Sequence, residues 1–290
     1  MKVFICLFAV LLILSAGIPA NSTVGLKMLT AEAGARAVGM GGAFSAVPAD
    51  PYSAAYNPAA TWGIEGISGS FGYNTYWENT RIETGYISFF KRAAVFTAGV
   101  QFAAVDDMEG RTAFTEDFYP FSAHDVSLKF GASFELDKNY YLGFALGWIM
   151  EKIDQYNGSA VNFDMGLLVQ PREDLNIGFA VTNFGSTIKL KSESVDLPTT
   201  YRGGVSYIYR QFNTAADISL LDGDIYGNIG EEYTVKDVLF LRAGYRFGYD
   251  TKDLSAGLGF SKRNFRIDYA FLPFGGGLSD SHLFNLTFDF

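Results

Sequence analysis

The sequence predicts an all-β protein, a transmembrane antiparallel β-barrel of about 14 strands. Three observations predict it. From position 64 to the last residue short stretches alternate apolar and polar side chains, the connections between them alternate between short and long, and an export signal precedes a chain whose single cysteine lies inside that signal. Alternation with period two puts large apolar groups on one face of a strand and charge on the other, and in a membrane barrel those faces look at lipid and at the lumen. Aromatic residues make up 16% of the chain and there are 32 glycines, yet mean hydropathy is only +0.11. One-sided strands give that balance, whereas a helical membrane protein is far more apolar. With 49% hydrophobic residues and a net charge of −9, the chain is neither disordered nor a basic nucleic-acid binder.

Residues 1–20 read as a signal peptide, with Lys2 ahead of an apolar run from Val3 to Ala20 that ends in small residues before Asn21 and Ser22. Its strictly apolar part, Val3 to Leu14, is short for a bilayer span of roughly 20 residues. Cys6 is removed with it, so the mature chain must be held by packing or by a closed hydrogen-bond network. Residues 21–63 do not alternate. Ala31 to Ala37 is alanine-rich, Gly39, Gly41 and Gly42 follow, and then come Asp50-Pro51 and Asn57-Pro58-Ala59. A phosphate loop is excluded because no Lys-Ser/Thr pair follows the glycines. Pro58 makes a stiff corner and the glycines a soft one, a combination that would let the segment shift as a unit. About forty residues must be housed before the first strand, and a barrel of this size has a lumen able to hold them.

Residues 64–290 form the barrel, with strands expected near 64–77, 80–91, 94–105, 123–136, 139–152, 157–170, 174–185, 198–210, 213–221, 225–235, 238–249, 252–261, 264–273 and 280–290. The last shows the pattern best: Phe284, Leu286, Phe288 and Phe290 share one face against Asn285, Thr287 and Asp289. An alternating final strand with a terminal aromatic is the assembly signal expected of an outer-membrane barrel. Lys129, Asp164, Arg202, Glu232, Arg242, Arg246, Arg266 and Asp268 occupy the parity opposite to large apolar groups and are expected to face the lumen, with Arg242 and Glu232 as a cross-strand pair. Glu231 breaks the pattern by falling on the face of Ile229 and Tyr233. Lys91-Arg92-Ala93, Asp137-Lys138, Pro171-Arg172-Glu173, Gln211-Phe212, Lys236-Asp237 and Lys262-Arg263 are tight turns on one rim. Asp106 to Ser122, Ser186 to Leu197 and Phe274 to Ser279 are longer loops on the other. Short periplasmic turns and long outer loops are the asymmetry of outer-membrane barrels.

The stretch Gly34 to Phe44, then Ala49-Asp50, then Asn57-Pro58-Ala59 resembles the N-terminal region of the PorV/PorQ family, which is related to FadL-type outer-membrane transporters of hydrophobic molecules. Later pieces are similar too: Leu197-Pro198 before Arg202-Gly203, Gly230 to Tyr233, Leu241 to Tyr245, Ala256 to Phe260 and Ile267-Asp268-Tyr269. The resemblance covers essentially the whole mature chain and departs from the family at Pro51, where an acidic residue often stands. It implies a fourteen-stranded barrel with an N-terminal luminal hatch whose gate residues are Gly39, Gly41, Gly42, Asp50, Asn57, Pro58 and Ala59. It also implies two alternative functions. One is a channel for hydrophobic or amphipathic small molecules. The other is a PorV-like accessory of type IX secretion that shuttles or anchors cargo. A purely structural barrel is a third reading that the residues leave open.

Chemistry is sparse. His124 and His282 stand at the starts of different strands, and HExxH, GxSxG, Walker and zinc-type spacings are missing from the sequence. Asp106-Asp107 and Glu116-Asp117 read as solvated loop acids rather than a metal site. The chain is therefore expected to be no enzyme, to carry no cofactor or metal and to bind no nucleic acid. Its expected partners are outer-membrane lipid, the barrel-assembly machinery, and either a hydrophobic small-molecule ligand or secretion cargo.

Overall fold

The computed structural model describes residues 26–76, 80–111, 118–191 and 193–290; the expected signal peptide lies outside the described residues. In chain order the strands are β1 (Ile67–Thr75), β2 (Arg81–Lys91), β3 (Ala94–Arg111), β4 (Phe118–Asp137), β5 (Tyr140–Ile153), β6 (Tyr156–Arg172) and β7 (Leu175–Gly185). A short hairpin, β8 (Ile188–Leu190) and β9 (Glu193–Val195), follows. Then come β10 (Thr200–Tyr209), β11 (Phe212–Leu221), β12 (Asp224–Val235), β13 (Leu239–Phe247), β14 (Leu254–Lys262), β15 (Phe265–Leu272) and β16 (Ser281–Asp289). All except β8 and β9 join one closed antiparallel barrel of fourteen strands, with β16 pairing β1. Closure leaves no unpaired edge, a requirement for any sheet that crosses lipid.

Alternation decides the two faces. Along β16, Leu283, Asn285 and Thr287 are buried, while Phe284 is 53% exposed. Large apolar side chains such as Phe71, Phe130, Leu146, Ile218 and Ile267 stand exposed around the outer wall. Such a wall suits lipid and not water. Rings pair across strands near the short rim, Phe89 with Phe96, Phe212 with Tyr233 and Phe265 with Phe288, as the aromatic girdle of a membrane barrel requires.

Two of the expected loops are built differently. The segment from Asp106 to Ser122 is largely strand: β3 runs on to Arg111 and β4 begins at Phe118, with a register shift between Val105 and Met108. A bulge places two residues against one and flips the parity beyond it, which hides the continuation from a reading of alternation. Asp106 forms an ion pair with Arg81 at 2.9 Å, while Glu116 and Asp117 lie outside the described residues. The segment from Ser186 to Leu197 contains the β8–β9 hairpin. Ile188 and Leu197 bury themselves there against Ile82, Ala103, Ile149 and Ala160 at the long rim. Glu231 keeps the register and faces outward, where the Thr214 hydroxyl donates to it at 2.6 Å.

The stretch from Leu26 to Gly66 precedes β1. It holds three turns of 3₁₀ helix, Lys27–Thr30, Pro51–Ala55 and Pro58–Thr61, and one short helix, α1 (Ala35–Gly39). It packs against inward positions on strands around the barrel, α1 on β13 to β16 and the last 3₁₀ turn on β4 to β6.

Closure depends on the chain's last residues. The Ile67 amide donates to the Phe290 carbonyl at 2.8 Å, and the Phe290 amide donates back to the Ile67 carbonyl at 2.7 Å. Deleting Phe288 to Phe290 is therefore expected to abolish the heat-modifiable band of the assembled barrel in outer-membrane fractions. Persistence of that band would show that closure does not need these residues.

Candidate functional site

Described residues of the N-terminal stretch, from Leu26 to Gly66, pack against inward-facing side chains of the barrel wall. Irregular backbone at membrane depth is tolerated only where protein satisfies its polar groups, and here wall side chains do so one by one. Asn285 accepts from the Ala35 amide at 2.7 Å, and Arg246 donates to the Val38 carbonyl at 3.1 Å. Asn228 donates to the Gly41 carbonyl at 2.6 Å, and Ser206 to the Ala46 carbonyl at 2.8 Å. Asp217 accepts from both the Phe44 and Ser45 amides, at 3.0 and 2.9 Å.

The two Asx-Pro motifs are helix caps. Asp50 and Asn57 each accept, through one side-chain oxygen, the amide two residues on, with proline at the first helical position, where its missing N–H costs nothing. Their remaining atoms reach other elements. The Asn57 amide group donates to the Ser45 carbonyl at 2.8 Å and to the Leu167 carbonyl on β6 at 3.1 Å. The other Asp50 oxygen accepts from Arg36 at 3.3 Å and from Arg266 at 2.7 Å. Pro51 stands at the first position of the turn that Asp50 caps.

Asp50 is one member of a closed ring of six alternating charges. Arg36 on α1 donates to Glu232 on β12, and Arg242 on β13 donates to the same carboxylate at 2.6 Å. Arg242 also donates to Asp268 on β15 at 2.8 Å, Asp268 accepts from Arg266 at 2.8 Å, and Arg266 returns to Asp50. Three arginines face three carboxylates, so the ring is neutral. All three carboxylates and Arg242 are buried. A second cluster sits toward the long rim, where Glu32 accepts from Arg246 and from Lys252, the latter at 3.3 Å. Burial pushes the Asp50 and Glu32 carboxyls up, but the arginine and lysine cations beside them more than reverse this and hold both below the ordinary carboxylate range.

The rest of the lumen is close-fitted. Lys129 donates to Asp164 and, at 2.8 Å, to Asn183 in a bulge of β7. Arg202 stacks its guanidinium on Tyr56 at 5.3 Å. Wall glycines admit the segment's backbone: a Cβ at Gly143 would overlap Ala59, at Gly166 the Asn57 side chain, at Gly178 Ser45, at Gly230 Met40 and at Gly244 Gly41. Gly41 itself has φ +68, and a Cβ there would lie 2.7 Å from the Ile229 carbonyl. The glycines at 39, 41 and 42 thus permit contact with the wall and are not slack. Ala59 is fully buried beneath Tyr141 and Leu168, and Trp62 stacks on Tyr141 at 5.0 Å toward the short rim.

The sequence-predicted residues therefore divide into Asp50, Glu232, Arg242, Arg266 and Asp268 in one ring, Arg246 in the Glu32 cluster, Lys129 with Asp164, and Arg202 on Tyr56. Sequence reading missed Glu32, Arg36, Asp217 and Lys252 as members. Arg36 lies inside the Gly34 to Phe44 motif, which was the available signal. On the outer wall Phe284, Leu286 and Phe288 share the outward parity, and the terminal Phe290 is exposed.

No family model matches the chain, and no curated protein matches it. Solved structures do match. The toluene transporter TodX of Pseudomonas putida aligns at TM-score 0.67 and 12% identity over 92% of this chain and 98% of its own. A TodX variant described as a monoaromatic hydrocarbon channel aligns at TM-score 0.66 and 12% identity, over 89% and 99%. A FadL homologue from Pseudomonas aeruginosa aligns at 0.61 and 14%, over 95% and 100%. At these identities the likeness is one of fold, and it extends over nearly the whole chain.

Two outcomes follow from the charge ring. Glu232→Ala leaves Arg36 and Arg242 buried without their shared carboxylate, and is expected to cost roughly 3–5 kcal/mol, read as a lower urea midpoint in detergent micelles. The depressed Asp50 and Glu32 carboxyls contribute stability that is fully present above their ordinary values of 3.8 and 4.5 and is lost only as pH falls through the still lower folded values. The share of the N-terminal segment's protease protection that Asp50 and Glu32 supply is expected to stay constant as pH falls to about 5 and to be lost only below the ordinary carboxylate range. Loss of protection near pH 6 would contradict the geometry.

Proposed function

We propose that this protein is an outer-membrane channel of the FadL type that passes hydrophobic or amphipathic small molecules, with residues 21–63 as its hatch. The observation that carries the reading is a closed barrel whose lumen is occupied by its own N-terminal segment, tied to the wall by charges and side-chain-to-backbone bonds. Passage requires that segment to shift, and the neutral ring around Asp50, Arg36 and Glu232 is the latch. The likeness in fold to TodX and to the FadL homologue supports the same reading, and toluene is the first substrate to try. The chain acts as a conduit and not as an enzyme.

The mouth at the long rim fits an apolar solute. Leu26 and Met28 of the hatch rest there against Ile82, Ile149, Ile188 and Leu197, a surface that a hydrophobic molecule entering from that side would meet first. The final strand, Phe284 to Phe290, is the segment through which the barrel-assembly machinery takes up the exported chain. The alternative of a type IX secretion accessory rests on the sequence resemblance to PorV/PorQ members and calls for a cargo protein on the long-loop rim.

Deleting residues 24–60 while keeping the signal is expected to leave a barrel that assembles, shows raised single-channel conductance in planar bilayers, and takes up radiolabelled toluene into vesicles faster than the intact protein. An assembled deletion variant with unchanged conductance and uptake would rule out the hatch, and one that cannot assemble would assign the segment to folding alone.

A further inference from the structure

The outer wall is not uniform. Outward side chains on most strands stand free, Leu146 at 60% exposure and Phe130 at 65%. Leu167 on β6 and Val181 on β7 share the outward parity, yet are only 3% and 7% exposed. They floor a recess of about 430 Å³ in the outer face, lined almost wholly by apolar atoms, that crosses β5, β6, β7, β10, β11 and β12. Its volume falls within the roughly 300–1,000 Å³ of small-molecule sites.

The register explains its shape. Leu167 lies opposite Phe179, Phe179 opposite Gly203, and Gly203 opposite Ile218, while Val181 lies opposite Tyr201 in the adjoining row. The recess is thus a trough perpendicular to the strands, open at Gly203, where no side chain fills it. Beside it β7 carries one residue more than β6, and Asn183 at φ 60 turns inward to Lys129. A bulge bends its strand, which sinks the neighbouring wall. Six strands about 4.8 Å apart give a trough about 24 Å long. With strands tilted about 40°, it climbs about 15 Å, half of a hydrocarbon core about 30 Å thick.

We propose that this trough is a seat for one acyl chain of a membrane lipid, held there longer than in the surrounding bilayer. The occupant follows from the position: the trough opens on the apolar wall, carries almost no polar lining to hold water, and has the length of one leaflet's chain. The inference rests on the bilayer-facing wall and is independent of what crosses the lumen. A second depression, on β1 to β4, of about 470 Å³, supplies an internal comparison in which volume is matched and the floor is not. Its side chains Phe71, Ile87, Val100 and Phe130 are 42–65% exposed, with no sunken floor.

The full-length barrel is reconstituted into phosphatidylethanolamine and phosphatidylglycerol vesicles doped with a phosphatidylethanolamine bearing a diazirine acyl chain, photolysed and mapped by mass spectrometry. Adducts on β6, β7 and β10 peptides are expected to exceed those around Ile87 and Val100 several-fold. A Cβ at Gly203 meets only the Phe179 ring, at 3.5 Å, so Gly203→Leu fills the trough without displacing backbone. That variant, confirmed as a heat-modifiable barrel, is expected to bring the ratio to one. Equal labelling of both faces in the unaltered protein would overturn the proposal. Protein–protein cross-links in place of lipid adducts would overturn it in favour of contact between barrels.

Discussion

Irregular backbone cannot sit at membrane depth unless protein groups complete its hydrogen bonds, and most features of this lumen answer that constraint. Forty residues of loop and single helical turns bring a long series of amide and carbonyl groups into a space closed by fourteen strands. Helix caps at Asp50 and Asn57 satisfy some. Wall residues on β10, β11, β12, β13 and β16 satisfy others. Each unmet group would cost on the order of 1–3 kcal/mol, so wall and segment must match residue by residue. The inward row of a barrel strand, free of any packing role against lipid, is where such matching residues can be placed.

The charge ring adds a second layer. A lone buried arginine–carboxylate pair is weak evidence for stability, because desolvation offsets its attraction. Here each carboxylate accepts from two arginines, and the Asp50 carboxylate also caps a helical turn. Saturation of the lone pairs is what makes a buried ionic cluster tolerable. It also makes removal of one member expensive, since two opposite charges lose a partner together. The ring therefore ties α1 through Arg36 to β12, and the glycines at Gly230, Gly244 and Gly257 let Met40, Gly41 and Gly39 approach the wall at backbone distance.

Much of the barrel was legible because period two is a physical consequence of pleating and needs no tertiary information. Strand positions and the two faces follow from it, and even Glu231, which looked out of register, stays in register and finds Thr214. The rims are less unequal than the connection lengths suggested, since only two residues join β5 to β6 and β11 to β12 on the long side. Legibility ends where the local pattern is broken or where partners are distant. The bulge after Val105 reverses parity and disguises eight further paired residues as loop. Arg36 and Glu232 are 196 positions apart, so only the folded topology could join the motif around α1 to the wall. The glycines were visible in the sequence, but their meaning changed. Gly41 and Gly42, read as a soft hinge, have positive φ and press against β12 and β13.

That change bears on how the lumen could open. A segment with a soft middle would bend, whereas this one is fastened at Ala35, Arg36, Gly41, Phe44, Ala46, Asp50 and Asn57. Sliding it as a block would break all of these at once, and each exchange would have to be matched by water in a confined space. The contacts upstream of Glu32 are of another kind. Leu26 and Met28 touch an apolar cluster shared with the β8–β9 hairpin, and nondirectional contacts can be surrendered to any apolar group of similar size. On the proposed channel reading, a hydrophobic solute would take the place of Leu26 and Met28 in this cluster while the charge ring below stays whole. If the proposed opening starts at this apolar mouth, the directional contacts of Asp50, Arg36 and Glu232 are the ones it would have to exchange beyond it.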